Sequence, residues 1–317
     1  MKKILTIAVV VIVLIFLLSL AKDFLIKSIV STVATQVTGA KVEIGWLSLG
    51  LLSQSSSISN FRMYNPAGFS RSIMVDLPKI AVKINSLALL RGKLHLRLLT
   101  VDLKEIGLEK NKEGKLNVDS LKFVQQEPKQ AKEKASSKSM PMQIDEFNLV
   151  MGRIVSKDYT GSKEPSISVY NINLKKTYKN INSAQQLVAL ILSEPLKQAG
   201  IKAAAIHSAA LLTGVGVIPI AVISTFGEKD HAVQNFNLTI DKIYDLSLST
   251  LKDIGKIKKE NKAKGEINAE VDGANITLKL KGVSAKKTEV TVSARKMMLP
   301  KPEIASGILY RISEKLK

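Results

Sequence analysis

Cysteine is absent from the 317 residues, and disulfides, thiolate metal sites and cysteine nucleophiles go with it. Histidine is almost as scarce. His95, His207 and His231 stand singly, with neither His-x-x-x-His nor carboxylate–histidine spacing, and read as ordinary surface or packed residues. Aromatic residues make up only 5%, which leaves few platforms for stacking bases. Lys and Arg outnumber Asp and Glu by 47 to 27, but no dense basic block emerges, so nucleic acid is not an expected partner. No serine lies in a Gly-x-Ser-x-Gly elbow, and Gly214-Val215-Gly216 lacks the Lys-Ser/Thr of a phosphate loop. The reading is of a chain that is not an enzyme, with no catalytic residue, cofactor or metal.

What is present begins at the N-terminus. Lys2 and Lys3 precede an uncharged run from Ile4 to Ala21. Eighteen helical residues would rise about 27 Å, close to a hydrocarbon core of ~30 Å. The flanking lysines place the N-terminus in the cytoplasm and the bulk of the chain outside it. A signal peptide cleaved after Ser19-Leu20-Ala21 is the competing reading; the run exceeds the usual h-region and lacks a polar spacer, which favours a retained anchor. With a net charge of +20, attraction to anionic lipid head groups or polysaccharide is the expected use of the basic surface.

Beyond the anchor, Leu25, Ile26, Ile29, Val30, Val33 and Val37 recur at helical spacing, with Gly39 as the stop. The period then changes to two. Val42, Ile44 and Trp46 alternate with polar or small residues, and so do Ile80, Val82 and Ile84. Leu94, Leu96 and Leu98 alternate until the phase slips at Leu99, a sign of a bulge. Short connections predict an antiparallel sheet with one apolar face and sparse helical cover. Ile80, Val82, Leu96 and Leu98 are therefore the expected lipid-facing residues. The stretch 125–141 is polar and lysine-rich, a surface loop.

The anchor followed by T-G-A-K-V-E-I (Thr38 to Ile44), N-P-A-G-F (Asn65 to Phe69), S-L-A-L-L-R-G-K (Ser86 to Lys93) and G-K-L-N-V-D-S-L (Gly114 to Leu121) resembles the AsmA-like family. The likeness covers about Lys2 to Ala199. It implies an inner-membrane anchor, a groove-shaped sheet in the periplasm, and a part in outer-membrane assembly or phospholipid traffic. Eight to ten strands would extend a groove roughly 40–50 Å, too short to bridge two membranes unaided.

From Ala203 to Gly227 the chain carries no acidic or basic residue except His207, and its glycines and Pro219 weaken the case for a second span. A membrane-lying or core-packed segment with an exported C-terminus is expected. The remainder reads as β-α-β-β-β-α: a strand at Phe236–Ile240, a helix capped by Asp241 and closed by Gly255, a hairpin at Asp272-Gly273, and a last helix opened by Pro302. D-K-I-Y-D-L-S-L-S-T-L-K (Asp241 to Lys252) with that hairpin resembles small bacterial lipoprotein domains of unknown function, without their lipidated cysteine.

The expected fold class is α+β: an N-terminal transmembrane helix, a groove-like and mostly antiparallel β-sheet with helices, and a small α+β domain. The division is 1–21 anchor, 22–200 groove domain, 201–231 membrane-associated segment and 232–317 small domain. The expected function is envelope biogenesis or phospholipid handling by hydrophobic sequestration, with membrane lipids and envelope proteins as partners. The alternative is a structural adaptor scaffolding envelope proteins, its apolar face being ordinary core. Whether the inward face of the sheet is covered discriminates the two.

Overall fold

The computed structural model describes residues 27–28, 30–49, 55–125, 141–161, 164–203, 205–208 and 230–316. The anchor run, most of the 125–141 loop and most of the 201–231 segment lie outside them. Among the described residues no helix is long and apolar enough to cross a membrane. The protein is α+β and mostly strand, built on two six-stranded sheets.

The first sheet runs in chain order through β1 (Val42–Leu49), β2 (Ser55–Tyr64), β3 (Ile73–Ile84), β4 (Leu94–Lys110), β5 (Met142–Asp158) and β6 (Ser166–Ile181). It has six strands rather than eight to ten. Neighbours are antiparallel except β4 and β5, which run parallel from Leu94↔Met142 to Lys110↔Asp158. A parallel pair needs a crossover. Here residues 111–141 make it, through a 3-10 turn at Val118–Ser120 and a short helix at Lys122–Gln125.

The phase slip in the sequence is the local sign of irregularities aligned along two lines, one running through β1 to β6 and one confined to β4, β5 and β6. Along the first, the ladder skips Gly45 opposite Asn60, Asn60 opposite Pro78, and Lys104 opposite Gly152. Gly152 then faces two residues of β6, Ile172 and Asn173. Asn60 and Asn173 take left-handed φ values of 53° and 49°. Pro78 is tolerated inside a sheet because no ladder N–H is needed at that point. A Cβ on Gly152 would stand 2.7 Å from the Lys104 carbonyl oxygen, so the close approach requires glycine. On crossing the line each strand changes which residues it buries: Ile44 gives way to Leu47, Leu77 to Ile80, Leu103 to Ile106, and Met151 to Ile154. Trp46, expected with Val42 and Ile44, is thereby turned to solvent. The second line places Arg97 as an extra residue on β4, opposite Asp145, which in turn faces Asn180 in left-handed backbone. Aligned irregularities of this kind bend a sheet.

The inward face is closed by the chain itself, which corrects the expectation of sparse cover. Val30, Ala34 and Val37 of the helix at 30–38 pack against it, and Ser31 donates to the Val42 carbonyl at 2.7 Å. A second helix, Ala184–Gln198, adds Ala189, Leu190, Leu192 and Leu196 to the same core. Ser183 caps it by accepting from the Gln186 amide at 3.1 Å.

The second sheet has the order β12-β11-β10-β9-β8, with β7 also on β11. Its strands are β7 (His231–Phe236), β8 (Lys256–Asn261), β9 (Glu266–Val271), β10 (Ala274–Ser284), β11 (Lys287–Lys296) and β12 (Leu299–Pro300). The strand expected at Phe236–Ile240 lies earlier, and β8 and the two-residue β12 are additional. The helix Ile240–Ile254 starts from Thr239, with Asp241 in its first turn rather than at the cap, and ends at Gly255. The terminal helix Pro302–Glu314, opened by its proline as expected, lies between the sheets. One side packs on β7 and β11, the other on β6 of the first sheet. Arg153 lies 5.3 Å from the Tyr310 ring centroid, Arg311 donates to the Pro165 carbonyl, and Ser166 meets Asp272. Val155 and Val169, paired on β5 and β6, are buried on this outer face.

Candidate functional site at the end of the first sheet

The four expected lipid-facing residues do not form a surface. Ile80, Val82 and Leu96 share one face but are only 7%, 7% and 8% exposed, inside the core. Leu98 is on the other face, because the extra residue Arg97 reverses the alternation; it pairs with Lys83 while Leu99 pairs with Val82. The slip lies one step earlier than the sequence pattern implied.

A different set of residues converges where β4 and β5 end. Glu109 is buried at the end of β4, and its carboxylate accepts from the Ser70 amide at 2.8 Å, Ser70 Oγ at 2.5 Å and Asn65 Nδ2 at 3.0 Å. Asn117, buried in the crossover, donates to Asn65 Oδ1 at 2.7 Å and to the Gly107 carbonyl at 2.9 Å. Its own Oδ1 accepts from the Val118 amide at 2.9 Å. These bonds clasp the 65–72 turn, the tip of β4 and the crossover together, so N-P-A-G-F and G-K-L-N-V-D-S-L meet in space. The sequence alone gives these stretches only as separate motifs and does not show the clasp. The available signal was Asn117, a polar residue set between the apolar positions Leu116 and Val118.

Two clefts flank the clasp. The larger, about 580 Å³, has Leu108, Leu116, Tyr170 and Ile201 for apolar walls and Lys110, Lys115, Lys202 and Asp119 for charges. The smaller, about 380 Å³, runs over Pro66, Ala67 and Phe69 and is bordered by Lys115 and Lys122. Lys110 is bound to Asp158 at 3.3 Å, whereas Lys115 and Lys202 make no ion pair among the described residues.

Asp119 is the carboxylate of the larger cleft. Burial holds its carboxyl above the usual range, opposed by the Ile206 amide, which donates to it at 3.1 Å, and by His207. A raised folded-state value means the native protein binds the proton more tightly than the unfolded chain, so ionisation above that value costs stability. Asp119→Asn keeps an acceptor for Ile206 without the charge. Its denaturation midpoint is expected to exceed the parent's at pH 7, with the difference vanishing below about pH 4, where unfolded aspartate is protonated. Equal midpoints at pH 7 would refute this.

His95 was read as solitary, yet its Nε2 lies 2.8 Å from Asp145 Oδ2 and its Nδ1 lies 3.2 Å from Asn85. No spacing rule reveals this pair, since the parallel ladder of β4 on β5 brings it together. Desolvation acts to raise the Asp145 carboxyl, but hydrogen bonds from His95 and Gln143 outweigh it and hold the carboxyl below its usual range. Among the described residues no three His, Asp or Glu side chains gather as a metal site. Comparison with family models and with curated proteins finds no match to this chain.

Proposed function

We propose that the chain is a membrane-tethered protein of the bacterial envelope, AsmA-like in kind, that handles phospholipid without covalent chemistry at the end of its first sheet. One observation carries the reading. A single cleft sets the apolar wall of Leu108, Leu116 and Ile201 beside Lys115 and Lys202, which are charged and unpaired among the described residues. An anionic amphiphile matches both: acyl methylenes contribute about 0.8 kcal/mol each on burial, and a phosphate meets the ammonium groups. The uncharged run from Ile4 to Ala21 supports a tether in the inner membrane, with the bulk of the chain in the periplasm.

A second reading, an adaptor that scaffolds envelope proteins, is favoured by the closed inward face, which leaves Ile80, Val82 and Leu96 as ordinary core. Native mass spectrometry of the detergent-extracted full-length protein separates the two. Phospholipid is expected to co-purify, and the Lys115→Glu, Lys202→Glu double variant is expected to retain at least fivefold less at an unchanged melting temperature. Lipid-free protein, or a variant that retains as much as its parent, leaves the adaptor.

A further inference from the structure

The second sheet contains two hairpins turned through a pair of left-handed residues. One uses Asp272 and Gly273, with φ values of 52° and 73°. That is the composition such a turn favours. The other joins β11 to β12 through Met297 and Met298, with φ values of 50° and 68°, Lys296 pairing with Leu299. Methionine gains nothing from left-handed backbone, and neither side chain is tucked away. Met297 and Met298 are each 88% exposed and Leu299 is 64% exposed. A sequence serving the turn alone would repeat the Asp-Gly solution next door. Strained backbone that displays three apolar side chains points outward, to something they enter.

We infer that Met297, Met298 and Leu299 form a tip that inserts into the head-group region of a lipid surface. The tip is too small for a protein interface, which takes about 800 Å² from each partner. Lipid needs no complementary pocket, and unbranched methionine side chains adapt to it. The segment 295–301 contains Arg295, Lys296 and Lys301 and no acidic residue. Arg295 and Lys301 do reach Asp230 and Glu303, at 3.1 and 3.7 Å, while among the described residues Lys296 is held only by the Asp272 carbonyl at 2.9 Å. Their stems can lie along the tip with the charges at phosphate level. The inference does not depend on the cleft's holding lipid.

The chain has no cysteine, so one introduced thiol reports alone. Leu299→Cys carrying an environment-sensitive fluorophore, in the full-length protein with phosphatidylcholine–phosphatidylglycerol vesicles, is expected to shift to the blue. Acyl-chain spin-labelled lipid is expected to quench it. Lys286→Cys, at the opposite turn of β10 and β11, is the water-exposed control. Adding Met297→Asn and Met298→Gly should reduce the quenching at least threefold without lowering the melting temperature. Emission equal to the control's overturns the inference, as does a shift that appears without vesicles as protein concentration rises. So does an Asn-Gly variant that keeps the shift, or one that melts earlier, which would make the methionines part of the fold.

Discussion

Gly307→Ala is expected to destabilise the protein by about 1–3 kcal/mol, although alanine is the better helix former by about 1 kcal/mol. Gly307 is buried in the terminal helix, and a Cβ built on it would run into the Ile167 carbonyl of β6. The substitution can be accommodated only if the helix backs away from the first sheet. Each kcal/mol lost lowers the melting temperature by about 2–4 °C in a chain of this size. Hydrogen exchange should accelerate at 166–170 of β6 in the same variant. A higher melting temperature would mean that the helix was never held against the sheet.

The clasp is the second place where one side chain carries much of the structure. Asn117→Ala removes the donors to Asn65 Oδ1 and the Gly107 carbonyl and the acceptor for the Val118 amide, all in a buried setting. The expected loss is about 2–4 kcal/mol, read as a shift of denaturant midpoint at constant slope. Asn117→Asp is the sharper test because it keeps the volume. It presents a carboxylate to two oxygen acceptors, and it should cost at least as much as alanine. An Asp variant of parental stability would show that the amide donates nothing there.

The strands themselves were legible because half-buried sheet writes period two into the sequence, and β3 shows it in Ile80, Val82 and Ile84. The Asp272-Gly273 turn and Pro302 were equally readable, since each answers a local backbone demand. What escaped was non-local. The two lines shift the inward phase in several strands at once, whereas the sequence shows one slip, at Leu99, as an isolated fault, and Trp46 and Leu98 fall on the wrong face. β8 escaped because its sequence, Lys256-Ile257-Lys258-Lys259-Glu260-Asn261, is charged at an edge where one side of the strand needs no apolar residues. The parallel join of β4 to β5 has no signature beyond the length of the crossover. That join also creates the site: it carries the crossover to the tip of β4, where Asn117 meets Asn65 and where the lysines of the larger cleft gather.

The docking of the terminal helix on β6 limits what can lie between the two sheets. A hydrocarbon layer of ~30 Å cannot lie between surfaces in van der Waals contact. The uncharged run from Ala203 to Gly227 joins two bodies that touch, so it does not hold them on opposite faces of a bilayer. Whichever side of a bilayer holds the first sheet holds the second as well. Without the terminal helix, Val169 on the outer face of β6 loses its cover.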